Sequence, residues 1–409
     1  MISNVAYIAM HTSPLLQPGT GNAGGMNVYL DRLARTMARR GIEVTTFTRR
    51  TDPGSDTVTE VESGYRVVQI SAGPEGPLSA AQMKPYAPEF AMGVIAWIDA
   101  NDQVFDIVHS HYWLSGRTGV RIKNKYGIPL ANSFHTLGKV KDRARAAFER
   151  PSSAERLLTE EEVISQSDCV IASTPFEFDD LLEHYAASPE RLCVSPPGVD
   201  HDVFSPGDRS AARQRLGTGS NPTVLFAGRV QTHKGTALAV ESYADLRDAL
   251  DPALGTPVLQ IIGGASGEDG ETELERCVAL AAEREVDDCV HFIDPVPHAI
   301  LADYYRAADV VIVPSRSESF GLVAAEAQAC GTPVVASNSG GLAYIVSASE
   351  SGLLVDGDDP QSFAAAMKAI IEHPSFAERL SEGARKFSER FSWEATANRL
   401  LELYVGISA

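Results

Sequence analysis

Two glutamates, two basic residues and a run of glycines carry the chemistry legible in this 409-residue chain. Glu318 and Glu326 stand in the string Pro314-Ser-Arg-Ser-Glu318-Ser-Phe-Gly-Leu-Val-Ala-Ala-Glu326-Ala-Gln-Ala-Cys-Gly331. The apolar run Ala308-Asp-Val-Val-Ile-Val313 before it reads as a buried parallel strand. Gly321 to Gln328 is about two helical turns, and Thr332 to Ala336 reads as the next strand. Glu318 therefore falls in a loop at a strand's carboxyl end, where open α/β sheets bind ligands. The free amides around Phe320, Gly321 and Leu322 open a helix and make an anion site, which Gly321 lets a phosphate approach closely. Glu318 can accept the hydroxyls of a sugar, and Glu326 two hydroxyls of a ribose. The ligand these residues suggest is a sugar joined through phosphate to a nucleoside.

Arg229 and Lys234 flank a tight loop, Ala227-Gly-Arg-Val-Gln-Thr-His-Lys-Gly235, after the apolar run Thr223 to Ala227. Two cations beside a glycine turn suit a diphosphate, whose charge grows as a sugar departs. Two surface cations would be the plainer reading, but the place at a strand's carboxyl end favours the site. A second glycine loop, Gln17-Pro-Gly-Thr-Gly-Asn-Ala-Gly-Gly-Met-Asn27, links a first strand, Val5 to Met10, to a helix over Val28 to Arg40. That is the layout of a phosphate cradle, with Gly24 and Gly25 facing the diphosphate. It is neither a G-x-G-x-x-G fingerprint nor a P-loop. His135 also ends a strand, and His11-Thr-Ser13 adjoins the glycine loop. His109 and His111 lie two apart with no carboxylate or cysteine partner, so a zinc site is rejected.

The elements that must position these residues alternate between strand and helix. Strands are expected at Val44–Thr48, Tyr65–Ile70, Asp106–His109, Pro129–Phe134, from Cys169 and from Cys193, with helices at Pro88–Asp99, Ser153–Ser165 and Pro175–Tyr185. A second alternation runs through Leu259–Ile262, Val290–Ile293, Val310–Val313 and Val334–Ala336. This predicts an α/β fold of two doubly wound parallel sheets. The polar segment Asp200 to Asn221 is read as the boundary, giving domains 1–200 and 201–390. A closing helix, Trp393 to Tyr404 within 391–409, is expected to rejoin the first domain.

Composition narrows the function classes. The net charge of −19 argues against nucleic acid or an anionic membrane as partner. No window approaches the roughly 18 apolar residues of a membrane span, and the first ten residues read as a strand, not a signal peptide. Five scattered cysteines suit reduced core positions in a cytoplasm. Two basic segments stand out locally, Arg117 to Lys125 and Lys139 to Arg145. Either is a solvated face or a positive rim around an anionic substrate.

The glutamate string resembles the E-x7-E signature of the family 4 retaining glycosyltransferases of GT-B architecture, two Rossmann-like domains facing a cleft. Gly228 to Gly235 is similar to that family's G-R-x4-K-G motif, and His135-Thr136 to its His-Thr or His-Ser pair. The resemblance implies that His135, Arg229, Lys234 and Glu318 are catalytic. It places the donor on Gly24, Gly25, Val296, Phe320, Gly321, Leu322, Val323 and Glu326 as well. The segments Met10 to Tyr29, His109 to Gly116 and Ser317 to Ala324 look most like the branch of mycothiol biosynthesis, which uses UDP-N-acetylglucosamine and 1D-myo-inositol 3-phosphate. In that branch residues matching Asn27, Tyr112, Thr136 and Arg156 hold the acceptor. The resemblance further implies a homodimer and no required cofactor; use of Mg2+ stays open, with no ligand motif for it in the sequence. One departure concerns the acceptor: Leu78-Ser-Ala80-Ala-Gln-Met83 has Ala80 where the branch carries a phosphate-binding lysine, and Lys84 lies four positions on. Thr48-Arg-Arg50 and His135-Thr-Leu-Gly-Lys139 are shared with sucrose-phosphate synthases, which implies another acceptor as the alternative. A non-catalytic sugar-nucleotide sensor is the alternative from a different class.

Overall fold

Runs of aliphatic and β-branched residues, covered by helices on both faces, form two sheets in the computed structural model, which describes residues 2–21, 23–146, 149–267 and 270–408. In spatial order the first sheet holds Val58–Glu62, Tyr65–Ile70, Glu43–Arg49, Asn4–Ile8, Ile107–His111, Leu130–Ser133, Cys169–Ala172 and Leu192–Val194. The second holds Val290–Ile293, Val258–Ile262, Thr223–Ala227, Val310–Val313, Val334–Ser337 and Gly352–Val355. Every pairing is parallel except that of the edge strand Val58–Glu62 with Tyr65–Ile70.

Among the parallel strands of each sheet the order reverses once, and ligands of open α/β sheets bind at that switch point. In the first sheet it lies between Asn4–Ile8 and Ile107–His111, paired Tyr7 to His109 and Ile8 to Ser110. In the second it lies between Thr223–Ala227 and Val310–Val313. The four loops leaving these strands are the glycine loop, the turn at Tyr112, the Arg229–Lys234 loop and the Glu318 loop. The topology thus brings together segments up to about 300 residues apart in sequence.

The chain crosses between the domains at two adjacent points, where Val199 bridges Ser392. The helix Trp393–Ser408 then returns to the first domain, burying Trp393, Ala397, Leu400 and Tyr404 in one face of its core. Several elements differ from expectation. The helix at the glycine loop begins at Gly25 and ends at Arg39. The segment read as a polar boundary contains the helix Arg209–Leu216, of which only Ala212 is buried. The helices Trp113–Tyr126, Pro360–Glu372 and Pro374–Ser388 and the strands Val58–Glu62 and Gly352–Val355 had no counterpart in the sequence reading.

Candidate active site

Between the carboxyl ends of the two sheets lies a cavity of about 790 Å³, lined by residues of both domains. Of the residues singled out from sequence, Gly24, Gly25, Tyr112, His135, Thr136, Arg229, Lys234, Val296, Glu318, Phe320, Gly321, Leu322, Val323 and Glu326 line it.

On the second-domain side, Lys234 Nζ stands 2.7 Å from Glu318 Oε1, and Ser315 Oγ donates to the same oxygen at 3.1 Å. Lys234 is aimed there by Gly235, whose φ of +74° suits a glycine; a Cβ at this position would lie 2.1 Å from the carbonyl oxygen of Pro314. Arg229 makes no hydrogen bond or ion pair among the described residues, and burial lowers its pKa from the ordinary arginine value. A desolvated guanidinium without a partner is a ready anion site. The helix Leu322–Ala329 starts at the cavity wall, and its first amides have no partners within the helix. Deeper in, Tyr305 Oη donates to Glu326 Oε2 at 3.1 Å, and burial pushes the Glu326 carboxyl up to about 8.

The glycine loop closes over this surface. Gln17 Nε2 donates to the Val296 carbonyl at 2.9 Å, and Ser266 Oγ donates to the Gly21 carbonyl at 2.6 Å. A Cβ on Gly24 would stand 3.2 Å from Arg229 Nε, and one on Gly25 3.1 Å from Leu322 Cδ1, so side chains there would crowd the facing domain. The Glu318 loop touches the first domain too: Ser319 Oγ donates to the His135 carbonyl at 2.7 Å, and Thr174 Oγ1 to the Ser319 carbonyl at 3.2 Å.

On the first-domain side two non-glycine residues of the cavity wall carry positive φ, Tyr112 at 77° and His135 at 59°. Tyr112, with ψ of 159°, occupies a region that non-glycine residues avoid, and such strain concentrates at functional sites. It is held by its N–H donating to the Ser133 carbonyl at 2.8 Å. The Arg156 guanidinium lies 5.4 Å from the centre of the Tyr112 ring and donates to the Thr136 carbonyl at 3.0 Å and to Glu160 at 2.8 Å. Burial pushes His135 down to about 3, so its ring is neutral at ordinary pH.

The segment 208–387 matches the family model described as glycosyl transferases group 1, and 24–198 matches that of a glycosyl transferase 4-like domain. A D-inositol 3-phosphate glycosyltransferase of Thermomonospora curvata is 43% identical, covering 99% of this chain and 96% of its own. The enzyme of the same name from Geodermatophilus obscurus is 44% identical over 98% of this chain and 88% of its own. The chain belongs to the family 4 glycosyltransferases. Among solved structures, a sucrose-phosphate synthase from Thermosynechococcus elongatus superposes with a TM-score of 0.91 at 32% identity, covering 99% of this chain and 98% of that one. The Anabaena protein HepE, solved in complex with UDP and glucose, shares the fold, with a TM-score of 0.77 at 18% identity over 98% of this chain and 99% of that one.

Two of the acceptor residues named from sequence do not line the glycosyltransferase's cavity. Asn27 is fully buried: its Nδ2 donates to Thr12 Oγ1 at 2.8 Å and to the Ser13 carbonyl at 2.5 Å, while its Oδ1 accepts from the Gly24 N–H at 2.9 Å. It fixes the glycine loop. Arg156 stands behind Tyr112 and Thr136. Ala80 packs against the first domain's core, and Lys84 is held by Glu155 at 2.6 Å, so neither brings a free cation to the acceptor end. Arg49 and Arg50 donate to backbone carbonyls between Arg50 and Gly76, which makes them loop braces. The basic segments split. Arg117, Lys123 and Lys125 pair with Glu162, Asp168 and Asp99 on the surface, whereas Lys141 and Arg143 line the cavity.

Sequence reasoning passed over Arg316, Glu177 and Tyr29, which also line the cavity. Arg316 stands inside the quoted string two residues before Glu318, and that adjacency was the available signal. Among the described residues, no three His, Cys, Asp or Glu side chains group as metal ligands, and no helix is long and apolar enough to cross a membrane.

Proposed function

We propose that this glycosyltransferase moves N-acetylglucosamine from UDP-N-acetylglucosamine to a hydroxyl of 1D-myo-inositol 3-phosphate, with retention of the anomeric configuration. The observation that supports it most is the cation set beneath the glycine loop: Arg229 without a hydrogen-bond partner among the described residues, beside Lys234 paired to Glu318 at 2.7 Å. On this reading Arg229 and Lys234 take the diphosphate, and the amides of Leu322 and Val323 join them. Glu318 accepts sugar hydroxyls, His135 meets the 6-hydroxyl, Glu326 holds the ribose, and the backbone about Val296 faces the base. Tyr112 and Thr136 receive the acceptor, with Arg156 bracing both from behind, while Asn27 fixes the glycine loop beside them.

The acceptor oxygen attacks the anomeric carbon on the face from which the diphosphate leaves. The bond from that carbon to the phosphate oxygen breaks as the new carbon–oxygen bond forms, and the acceptor proton passes to the departing phosphate. Charge grows on the diphosphate during the step, so its contacts with Arg229 and Lys234 strengthen in the transition state. Five free cysteines fit a cytoplasmic setting, and a homodimer belongs to the same reading.

The acceptor is supported by the names of the relatives and opposed by Ala80. Losing one charged hydrogen bond to a phosphate costs about 1.5–3 kcal/mol. The likeness to a sucrose-phosphate synthase favours a second reading, in which a sugar phosphate is the acceptor. The test is UDP release from UDP-N-acetylglucosamine in the presence of 1D-myo-inositol 3-phosphate, myo-inositol or fructose 6-phosphate. Strong stimulation by inositol phosphate alone is expected. Stimulation by fructose 6-phosphate instead would establish the second reading, and equal stimulation by unphosphorylated inositol would remove the phosphate from the account.

A further inference from the structure

His111 takes no part in the reaction as described, yet it is fully buried directly behind the cavity. It ends the strand Ile107–His111 and pairs in register with Ser133, two residues before His135. Its Nδ1 lies 3.0 Å from His135 Nε2, with the two rings nearly parallel at 25°. Its other nitrogen, Nε2, is buried without a hydrogen-bond partner. Tyr7 and His109 wall the ring in, with centroids at 5.3 and 4.1 Å. His109 is itself fixed at both nitrogens, to Tyr404 Oη at 2.6 Å and Ser133 Oγ at 2.9 Å.

We infer that His111 is a positioning residue that sets the tautomer of His135; the consequence for catalysis rests on the donor site described above. Both rings are neutral, since burial drives both below the ordinary histidine range. Each then carries one ring proton, and the contact between them uses one. If His111 held its proton on Nε2, a buried N–H would have no acceptor, which folded proteins rarely tolerate. Its proton therefore sits on Nδ1 and is donated to His135 Nε2. His135 must then carry its own proton on Nδ1, the ring nitrogen left for the cavity. The cavity is thus offered a hydrogen-bond donor, suited to a hydroxyl or phosphate oxygen of the substrate. The backbone of His135 is held separately, by Ser319 of the facing domain, so ring and main chain are fixed from two sides.

The experiment compares His111→Asn with His111→Leu. An asparagine amide reaches about where His Nδ1 stood and can donate to His135; leucine cannot. His111→Leu is expected to lower kcat/KM for the donor about tenfold and leave the acceptor KM unchanged, with most of the loss recovered in His111→Asn. Long-range 15N–1H correlation spectra of histidine-labelled wild-type protein, without substrate, should show His135 protonated at Nδ1 and bare at Nε2. Equal donor kcat/KM in the two folded variants, or a wild-type His135 protonated at Nε2, would overturn the assignment. The spectrum requires neither turnover nor a folded variant, so it decides the tautomer even where the donor-site reading fails.

Discussion

Tyr112 and Glu326 show how much of this cleft depends on single residues held in costly states. Tyr112 sits at φ 77° and ψ 159°, and Tyr112→Gly removes the backbone penalty that Tyr112→Ala retains. The glycine variant should be more stable than the alanine variant by about 1–3 kcal/mol. Both should lose acceptor binding, as thermal melts and acceptor KM would show. Equal melting temperatures would mean that the strain is not stored there. Glu326 gives a pH prediction. Its carboxyl is held up to about 8 by burial, so in the free protein it is largely protonated at pH 7. Ribose hydroxyls favour the ionised form, so affinity for UDP-N-acetylglucosamine should rise as pH climbs from 6 through 8, with proton release on binding. Glu177, pushed up to about 7, faces the same cavity, so Glu326→Gln is the control: titration calorimetry should show its pH dependence flattened. Glu318, Glu326, Arg229 and Lys234 were legible in sequence because each follows an apolar strand at a fixed offset. The strain at Tyr112 was not, since tyrosine is no signal for positive φ.

The elements divide in the same way. Interior strands such as Val310–Val313 and Val334–Ser337 were read correctly, because strands buried on both faces are unbroken apolar runs. Val58–Glu62 was missed: it is a largely solvent-facing antiparallel edge of mixed polarity. The helix Trp113–Tyr126 was missed because Gly116 and Gly119 lower its propensity. Packing is the reason they are glycines. A Cβ on Gly116 would lie 2.7 Å from Val163 Cγ1, and one on Gly119 2.7 Å from Leu130 Cδ1. Gly119→Ala should therefore destabilise the first domain by about 1–3 kcal/mol despite its better helix propensity, as denaturant unfolding would show. A gain in stability would mean that Leu130 yields easily.

Over the whole molecule, the two-sheet plan was legible because strands and helices alternate twice along the chain. The closure of the cleft was not, because it rests on contacts between segments far apart in sequence, such as Gln17 with Val296 and Ser266 with Gly21. The C-terminal helix belongs to this scale as well: it buries Trp393 and Tyr404 in the first domain, and Tyr404 reaches His109 behind the active site. Removing residues 393–409 should open the amides of Gly25–Arg39 to hydrogen exchange, because that helix packs against the one lost. Unchanged protection would assign the C-terminal helix no part in holding the first domain.

If paired cations and Glu318, brought together from two loops of the second domain, drive glycosyl transfer from a nucleotide sugar, removing the Glu318 carboxylate must abolish it. Glu318→Ala tests it most directly, because the carbonyl of Glu318, which accepts the Gly341 N–H at 2.7 Å, survives the substitution and keeps the loop in place. The measurement is acceptor-stimulated UDP release from UDP-N-acetylglucosamine by the wild-type and variant enzymes, alongside their melting curves. Stimulated release is expected from the wild type, with a loss of at least about a hundredfold in a variant that still melts cooperatively. Wild-type turnover by the folded variant would contradict that expectation.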